Sequence, residues 1–350
     1  MGDERTTRMA AEIAEQPDAV AATLDGLRPL RADIADLARG RRSIAFVARG
    51  SSDNAAIYGR YLLETHAHRA ASLAAPSVAT LYHSRVDLTD ALVVSVSQSG
   101  ATEEIVETQA WARACGAAVV AVTNDASSPL ARQADIVLVT RAGQERAVPA
   151  TKTYTTQLAA MTVLATALAE DPQVLDHDLA RVPEQMAALI ERRDGVDAAV
   201  DALAGTHETL VSGRGLVFGT ALEVALKLEE TCLRPVRGLS YADLRHGPIA
   251  VVDADLVTVL VAAADGPVLA GMHDIADDLA ARGSTTIGIG GDEVFATRCA
   301  VGVAGPDLPE SLAPLALVVP GQLVVEALAR RLGLDPDAPR GLEKVTQTDV

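Results

Sequence analysis

Aromatic residues and cysteines are both scarce in this sequence. Phe, Trp and Tyr make up only 3% of 350 residues, although 49% of the residues are hydrophobic. Ala, Val and Leu must therefore fill the interior, which favours helices packed on parallel strands rich in Val. The three cysteines, Cys115, Cys232 and Cys299, lie far apart and show no CxxC or Cys/His metal spacing. We therefore expect a cytoplasmic protein without a metal site.

Positive charge is also in short supply. The formal net charge is −17, and the 30 Lys and Arg residues form no basic run. A chain this acidic repels nucleic acid and anionic membranes, so we expect neither as a partner. The N-terminus lacks the apolar core of a signal peptide, and no apolar run was found that approaches the roughly 20 residues of a membrane span. A small phosphate can still bind, because backbone N–H groups and hydroxyls act locally.

Apolar strand-like runs alternate with helix-like runs twice along the chain. The two series are separated by a polar stretch over 170–185, and "ARGSSDNAAIYGRYLLE" aligns weakly with "GRGLVFGTALEVALKLEE". This pattern predicts an α/β fold with two flavodoxin-like domains, each a parallel sheet with helices on both faces. The predicted parts are an N-terminal helical segment over 1–38, domains over 39–170 and 195–335, and a C-terminal tail over 336–350.

Small polar side chains cluster at two strand-to-helix turns. One turn, in "VVSVSQSGATEEI", contains Ser97, Gln98, Ser99 and Thr102, and the turn after the first strand contains Ser51–Ser52. Free N–H groups at a helix start, together with hydroxyls, bind an anion without net positive charge. The alternative is that these residues only cap helices. The sequence has neither GxxxxGK[ST] nor GxGxxG, which argues against a nucleotide, so we interpret the turns as a phosphate site.

Acidic residues directly follow the second of these turns. Glu103 and Glu104 count mildly against an anion site. Acids in the first turn of a helix can nevertheless point outward and favour the helix dipole.

A cluster of ionisable residues occupies one face of the predicted helix "ALEVALKLEETC". Glu223, Lys227 and Glu230 are spaced i, i+4 and i+7, and His246 follows in "DLRHGP". A carboxylate, an ammonium and an imidazole suit proton transfer on a small substrate. Two alternatives stay open: a solvated Glu/Lys salt bridge, and a structural role for His246 in its turn.

Several of these motifs occur together and in order. They are the Gly-Ser-Ser turn, "SQSGAT", "TNDASSPLARQAD", "AVPATKTYTTQ", "ALEVALKLEET", "DLRHGP" and "PRGLEKVT". Together they resemble the tandem sugar-isomerase (SIS) domains of glucosamine-6-phosphate synthase and its relatives. The resemblance implies two flavodoxin-like SIS domains and a sugar 6-phosphate substrate. It also implies a homodimer in which His246 is donated across the interface.

The resemblance also implies roles for individual residues. Phosphate contacts fall on Ser52, Ser97, Gln98, Ser99 and Thr102, with Ser51 and Val148 nearby. Proton transfer falls on Glu230, ring opening on His246, acid/base support on Glu223 and Lys227, and a Schiff base on Lys344. The tail that carries Lys344 could close over the sugar, whereas by position alone this residue would be a solvated tail lysine. No metal or organic cofactor is implied.

The sequence departs from the synthase in two respects. Position 2 is Gly where the synthase has its nucleophilic cysteine, so we expect no glutamine hydrolysis; Ala150 and Glu343 replace a Ser and an Ala. The chain thus resembles stand-alone SIS-type deaminases, which convert glucosamine 6-phosphate into fructose 6-phosphate and ammonia. The alternatives are a fructosamine-6-phosphate deglycase, another amino-sugar phosphate isomerase, and a non-catalytic SIS sensor of sugar phosphates. A sensor usually carries a DNA-binding domain, for which residues 1–38 are too short and too acidic.

Overall fold

The chain forms two compact units, each built around one parallel sheet. The computed structural model describes residues 6–344 and 347, so Gly2 and most of the predicted tail beyond Lys344 lie outside the described residues. The first-sheet unit contains Asp18–Glu145, Lys152–His177 and Gln347. The second-sheet unit contains residues 6–17, Arg146–Thr151 and Asp178–Lys344. The helices of the predicted segment 1–38 are therefore divided between the two units.

Each sheet has five strands in the same spatial order. The strands of the first sheet are β1 (Ser43–Val47), β2 (Ala70–Leu73), β3 (Ala91–Val96), β4 (Ala118–Thr123) and β5 (Ile136–Val139). Those of the second sheet are β6 (Thr209–Gly213), β7 (Val236–Ser240), β8 (Val257–Ala262), β9 (Thr285–Gly290) and β10 (Val301–Val303). The orders are β2-β1-β3-β4-β5 and β7-β6-β8-β9-β10, and all neighbours are parallel. The predicted fold class, two flavodoxin-like α/β sheets, is confirmed.

Helices connect the strands and cover the sheets. Along the chain they are α1 (Arg8–Ala14), α2 (Gln16–Leu27), α3 (Arg31–Leu37), α4 (Ser51–His66), α5 (Ser77–Thr80), α6 (Glu103–Ala114), α7 (Pro129–Arg132), α8 (Lys152–Leu168), α9 (Gln173–Asp176), α10 (Val182–Arg192), α11 (Val196–Ala204), α12 (Phe218–Cys232), α13 (Tyr241–Arg245), α14 (Leu269–Ala281), α15 (Glu293–Arg298) and α16 (Ala313–Arg331). The chain breaks between α1 and α2. Pro17 lies in the first turn of α2, where its missing N–H costs no hydrogen bond.

Aliphatic side chains fill both cores, as the shortage of aromatic residues predicts. Every residue of β3, β4 and β8 is buried, and these strands consist mainly of Val, Ala and Leu. Helix α8 is buried along almost its whole length in the first-sheet unit. These small side chains let helices and strands approach closely, which positions the strand ends described below.

Helix α16 is the buried helix of the second-sheet unit. It is long and apolar enough to cross a membrane, but 89% of its most apolar window is buried within the protein. It packs against α10, α11 and α12, as a core helix does. The expectation that no apolar run approaches spanning length overlooked α16, in which Gln322 and Glu326 interrupt the apolar sequence.

Gly195 tests how tightly α11 packs on the second sheet. A Cβ atom at Gly195 would stand 2.0 Å from the carbonyl oxygen of Gly302 in β10, whereas a Cβ at Gly333 would meet no atom within 4 Å. Both glycines have positive φ, so Ala costs about 1–2 kcal/mol of unfolding free energy at either site from backbone strain alone. We expect Gly195→Ala to lose clearly more than Gly333→Ala in urea denaturation. Equal losses would contradict this close approach.

Candidate active site

The crevice of the first sheet lies where its strand order reverses, between β1 and β3. Chain connections run from β1 to one side of the sheet and from β3 to the other, so α4 and α6 cover opposite faces. Strands β1 and β3 are direct neighbours, with Val47 opposite Ser95. The turns that follow them therefore open at the same sheet edge, where ligands of such folds bind. These two turns carry Ser51–Ser52 and residues 97–102.

The turn after β3 holds its hydroxyls in place through backbone donors. Ser97 Oγ accepts a hydrogen bond from Gly100 N at 3.2 Å and lies 3.4 Å from Thr102 Oγ1. Ser99 Oγ accepts from Ala101 N at 3.2 Å, and Gly100 takes a φ of +60°. Thr102 is the N-cap residue of α6, yet its side chain makes no capping hydrogen bond. The alternative of simple helix caps does not describe this turn.

The remaining residues predicted to contact phosphate lie at the same edge. The backbone carbonyl of Gln98 accepts from Thr123 Oγ1 at 3.2 Å and from Asn124 N at 3.0 Å, which ties the turn to the end of β4. Ser51 and Ser52 form the first turn of α4, with Ser52 buried and Ser51 half-buried. The structure thus brings both hydroxyl turns to one edge of the sheet.

Gln157 is a site residue that the sequence did not indicate. Its Nε2 donates to Ser52 Oγ at 3.0 Å from the buried helix α8. Because the Ser52 oxygen accepts this bond, its own hydrogen stays available for an incoming anion. Gln157 lies 105 residues from Ser52; only the polar "TTQ" in an otherwise apolar helix could have signalled it.

Glu104 does not point outward. Its carboxylate is buried and binds the Arg49 guanidinium in a bidentate pair, with Nε–Oε2 at 2.9 Å and Nη2–Oε1 at 2.8 Å. Glu103 is exposed, and its N–H donates to Gln347 Oε1 at 3.0 Å. The buried carboxylate is thus balanced by a cation from the neighbouring turn.

The corresponding crevice of the second sheet, between β6 and β8, is filled by a side chain. The Glu310 carboxylate lies at the turn over 215–217, directly before α12. Cβ atoms at Gly215 and Gly266 would stand 3.0 and 2.2 Å from its two oxygens. The backbone N–H of Glu310 donates to Asp265 Oδ1 at 2.7 Å. The chain's own carboxylate therefore takes the place that an anion would occupy in this repeat.

The three ionisable residues of α12 form an ion cluster that is largely buried. Lys227 Nζ lies 3.6 Å from Glu223 Oε1 and also contacts the Glu230 carboxylate. The side chains of Lys227, Glu223 and Glu230 are 2%, 0% and 28% exposed. The alternative of a solvated salt bridge is therefore wrong, because Lys227 and Glu223 are almost completely buried. Leu222 and Leu226, on another face of α12, are half-buried.

His246 lies apart from the cluster on α12. It follows the last residue of α13, is exposed, and precedes Gly247, which has a φ of +128°. Its ring makes no hydrogen bond to any other residue in the part of the chain that the structure describes. Its donation across a dimer interface stays a prediction.

Lys344 and Val148 are brought together in the second-sheet unit. Lys344 Nζ donates to the Ala147 carbonyl at 2.8 Å and lies 3.5 Å from the Val148 carbonyl. Val148 N donates to the Asp337 carbonyl at 2.9 Å, so the chain before Lys344 is attached to the same segment. Lys344 is half-buried, and the alternative of a solvated tail lysine is wrong. Residues 345, 346 and 348–350 of the predicted tail lie outside the described residues.

No metal centre emerges from the acidic and histidine side chains. Within residues 6–344 and Gln347, no group of three or more His, Cys, Asp or Glu is arranged to hold a metal ion.

These features define an α/β protein with a hydroxyl-lined sheet edge in one repeat and a helix carrying a buried ion cluster in the other. A model of the SIS domain family matches residues 37–167. A crystal structure from Silicibacter pomeroyi, assigned as a phosphosugar isomerase, is 36% identical with a TM-score of 0.87, covering 95% of this chain and all of that one. The protein belongs to the SIS domain family.

Two aminotransferases are also similar to this chain. The glutamine–fructose-6-phosphate aminotransferase of Thermococcus kodakarensis is 35% identical, covering 96% of this chain and 57% of that protein. The C-terminal domain of the glucosamine-fructose-6-phosphate aminotransferase of Francisella tularensis is 26% identical with a TM-score of 0.86, covering 97% of this chain and all of that one. This chain thus spans little more than half the length of the curated Thermococcus relative.

Removing the cation from the α12 cluster should be costly. Lys227→Met leaves the Glu223 carboxylate buried without its ammonium neighbour, and we expect a loss of about 3–5 kcal/mol in the free energy of unfolding. Adding Glu223→Gln should recover much of this loss. Arg331→Met, at the exposed Arg331–Asp201 pair, is the matched control and should cost less than about 1 kcal/mol. Chemical denaturation measures all three, and equal losses for Lys227→Met and the control would contradict burial of the cluster.

Glu310 should make stability depend on pH. Burial and the neighbouring Asp265 charge raise its pKa, against the Leu216 N–H bond that lowers it. Its contribution to stability is therefore full below the ordinary pKa of Glu and is lost as pH rises through the raised value. We expect Glu310→Gln to become more stable relative to the native chain between about pH 4 and about pH 8. The exposed Glu293→Gln is the control; a difference that stays constant or reverses contradicts the assignment.

Proposed function

We propose that this chain deaminates and isomerises an amino-sugar 6-phosphate, with glucosamine 6-phosphate and water giving fructose 6-phosphate and ammonia. The observation that carries the proposal is the cluster on α12, where the partly exposed Glu230 carboxylate contacts the buried Lys227 ammonium. A carboxylate with one accessible side and a fixed cation behind it is suited to accept and return a proton. The named relatives support the sugar-phosphate class of substrate.

The proton transfer is assigned to Glu230. In the open-chain sugar this carboxylate removes the proton from C2, which gives a cis-enolamine, and returns the same proton to C1. The product is an iminium at C2. The Lys344 amine then adds to C2, and ammonia leaves with the C–N bond electrons, which gives a Schiff base that water hydrolyses to the ketone of fructose 6-phosphate. Lys227 stabilises the ionised Glu230 before the proton is taken.

Ring opening and amine exchange are assigned to other residues. His246 and Glu223 assist opening of the pyranose by moving the proton between the C1 hydroxyl and the ring oxygen. Lys344, which is oriented by the Ala147 and Val148 carbonyls, attacks C2 and expels ammonia. Water then releases fructose 6-phosphate and restores the lysine amine.

The phosphate ester is assigned to the turns after β1 and β3. Hydroxyls of Ser52, Ser97, Ser99 and Thr102 supply donors there, together with backbone N–H groups at the starts of α4 and α6. The dipoles of both helices favour a dianion at this edge of the sheet. Binding through dipoles and hydroxyls is compatible with a net charge of −17, because these groups act at short range.

Glutamine hydrolysis is not part of the proposal. That reaction needs a reactive thiolate. Burial raises the pKa of Cys232 to about 12 and that of Cys299 to about 11. The side chains of this chain therefore support free ammonia as the nitrogen species.

Replacement of Glu230 by Gln tests the proposal. With glucosamine 6-phosphate as substrate, we expect Glu230→Gln to lower ammonia release about 10²–10⁴-fold, because the amide cannot carry the proton. Binding of fructose 6-phosphate, measured by calorimetry, should stay within about threefold of the native chain. Glu229→Gln, at the exposed neighbouring carboxylate, is the matched control and should retain activity.

Other outcomes separate the remaining functions. Turnover of a fructosamine 6-phosphate without ammonia release from glucosamine 6-phosphate would contradict the substrate and favour a deglycase. Binding of fructose 6-phosphate without turnover of any amino-sugar phosphate would contradict the enzyme and favour a sensor. Full ammonia release by Glu230→Gln would contradict the proposed proton carrier.

A further inference from the structure

The ion pair between Arg49 and Glu104 connects the two turns of the anion crevice. Arg49 lies between the end of β1 and the start of α4, and Glu104 is the second residue of α6. Two parallel hydrogen bonds of 2.9 and 2.8 Å join them across the point where the strand order reverses. A bidentate guanidinium–carboxylate pair of this kind fixes both partners in orientation as well as in distance. The pair therefore sets the separation of the turns that carry Ser52 and Ser97.

The two partners differ in their access to solvent. The Glu104 side chain is 6% exposed and the Arg49 side chain is 47% exposed. An unbalanced carboxylate at the start of α6 would repel a phosphate at the neighbouring N–H groups, and its burial would weaken screening by salt. Arg49 supplies the positive charge that removes this repulsion. Its charge also lowers the pKa of Asp53 in α4, against the burial that raises it.

The guanidinium keeps one edge for other partners. Nε and Nη2 bind Glu104, and Nη1 has no hydrogen bond to any residue within the described parts of the chain. Fixed in orientation by Glu104, this amino group is a donor for a phosphate oxygen or for a water that bridges to it.

We propose that Arg49 is a positioning and charge-balancing residue of the sugar-phosphate site, held in place by Glu104. This inference rests on the proposed function, because it concerns the same phosphate. Arg49 cancels the field of the buried carboxylate, keeps the two hydroxyl turns at a fixed spacing and presents Nη1 to the crevice. It takes no part in proton transfer, so its effect falls on binding and not on the chemical step.

Two roles of the ion pair predict different phosphate affinities for the two single variants. In one role Arg49 balances the Glu104 charge; in the other the pair only holds the two turns together. Arg49→Met removes the guanidinium that forms two hydrogen bonds to the buried Glu104 carboxylate, so we expect the affinity for inorganic phosphate and for fructose 6-phosphate to fall at least about tenfold. Glu104→Gln removes the repelling charge and keeps the guanidinium, so the affinity should stay within about threefold or become tighter. The double variant removes both charges and should bind more tightly than Arg49→Met alone. If the pair only held the two turns together, both single variants would lose similar amounts of affinity.

Calorimetry and steady-state kinetics make the test. Arg42→Met, at the exposed Arg42–Asp90 pair of the same unit, is the matched control and should leave phosphate affinity unchanged. With glucosamine 6-phosphate, Arg49→Met should raise KM at least about tenfold while kcat changes less than about threefold. If Arg49→Met does not fold, the phosphate affinities of Glu104→Gln and of the double variant still show whether removing the Glu104 charge weakens binding.

The failure of this inference differs from failure of the proposed function. A native chain that binds neither inorganic phosphate nor fructose 6-phosphate overturns the sugar-phosphate site itself. A native chain that binds both, with Glu104→Gln weakened as much as Arg49→Met, overturns charge balance by Arg49 alone. A loss of kcat with unchanged KM in Arg49→Met also overturns it.

Discussion

The reversal of strand order between β1 and β3 is the constraint on which the candidate site depends. Parallel strands place their carboxyl ends at one edge, and only at the reversal do the following helices turn to opposite faces. The turns diverge there and leave a crevice lined by backbone N–H groups. Buried strands of Val, Ala and Leu hold these ends rigidly. Small hydroxyls at 51–52 and 97–102 lie at this edge, and the proposed anion site needs no cluster of basic side chains.

The two repeats use the same topology for different purposes. In the first, the crevice is lined with hydroxyls, and Gln157 orients one of them. In the second, the Glu310 carboxylate lies beside Gly215 and Gly266, at the turn before α12. Helix α12 itself carries the charged residues that suit proton transfer, and Glu223 and Lys227 among them are buried.

Sequence reasoning succeeded where the signal is local. Strand alternation, the hydroxyl turns and the helical spacing of Glu223, Lys227 and Glu230 depend on neighbours a few residues apart. It failed where distant elements decide the outcome. An i, i+4 Glu–Lys pair has the same spacing on a solvated helix as on α12, and only the tertiary packing around α12 buries it. Glu104 looked like a first-turn acid, because its partner Arg49 lies beyond a complete strand, helix and strand.

A crystal structure with fructose 6-phosphate bound tests the central claim most directly. The account predicts the phosphate within hydrogen-bonding distance of the hydroxyls of Ser97, Ser99 and Thr102, at the first-sheet reversal. A phosphate bound at the turns after β6 and β8, with Glu310 displaced, would contradict it. So would turns after β1 and β3 that hold no anion while the sugar is ordered elsewhere on the chain.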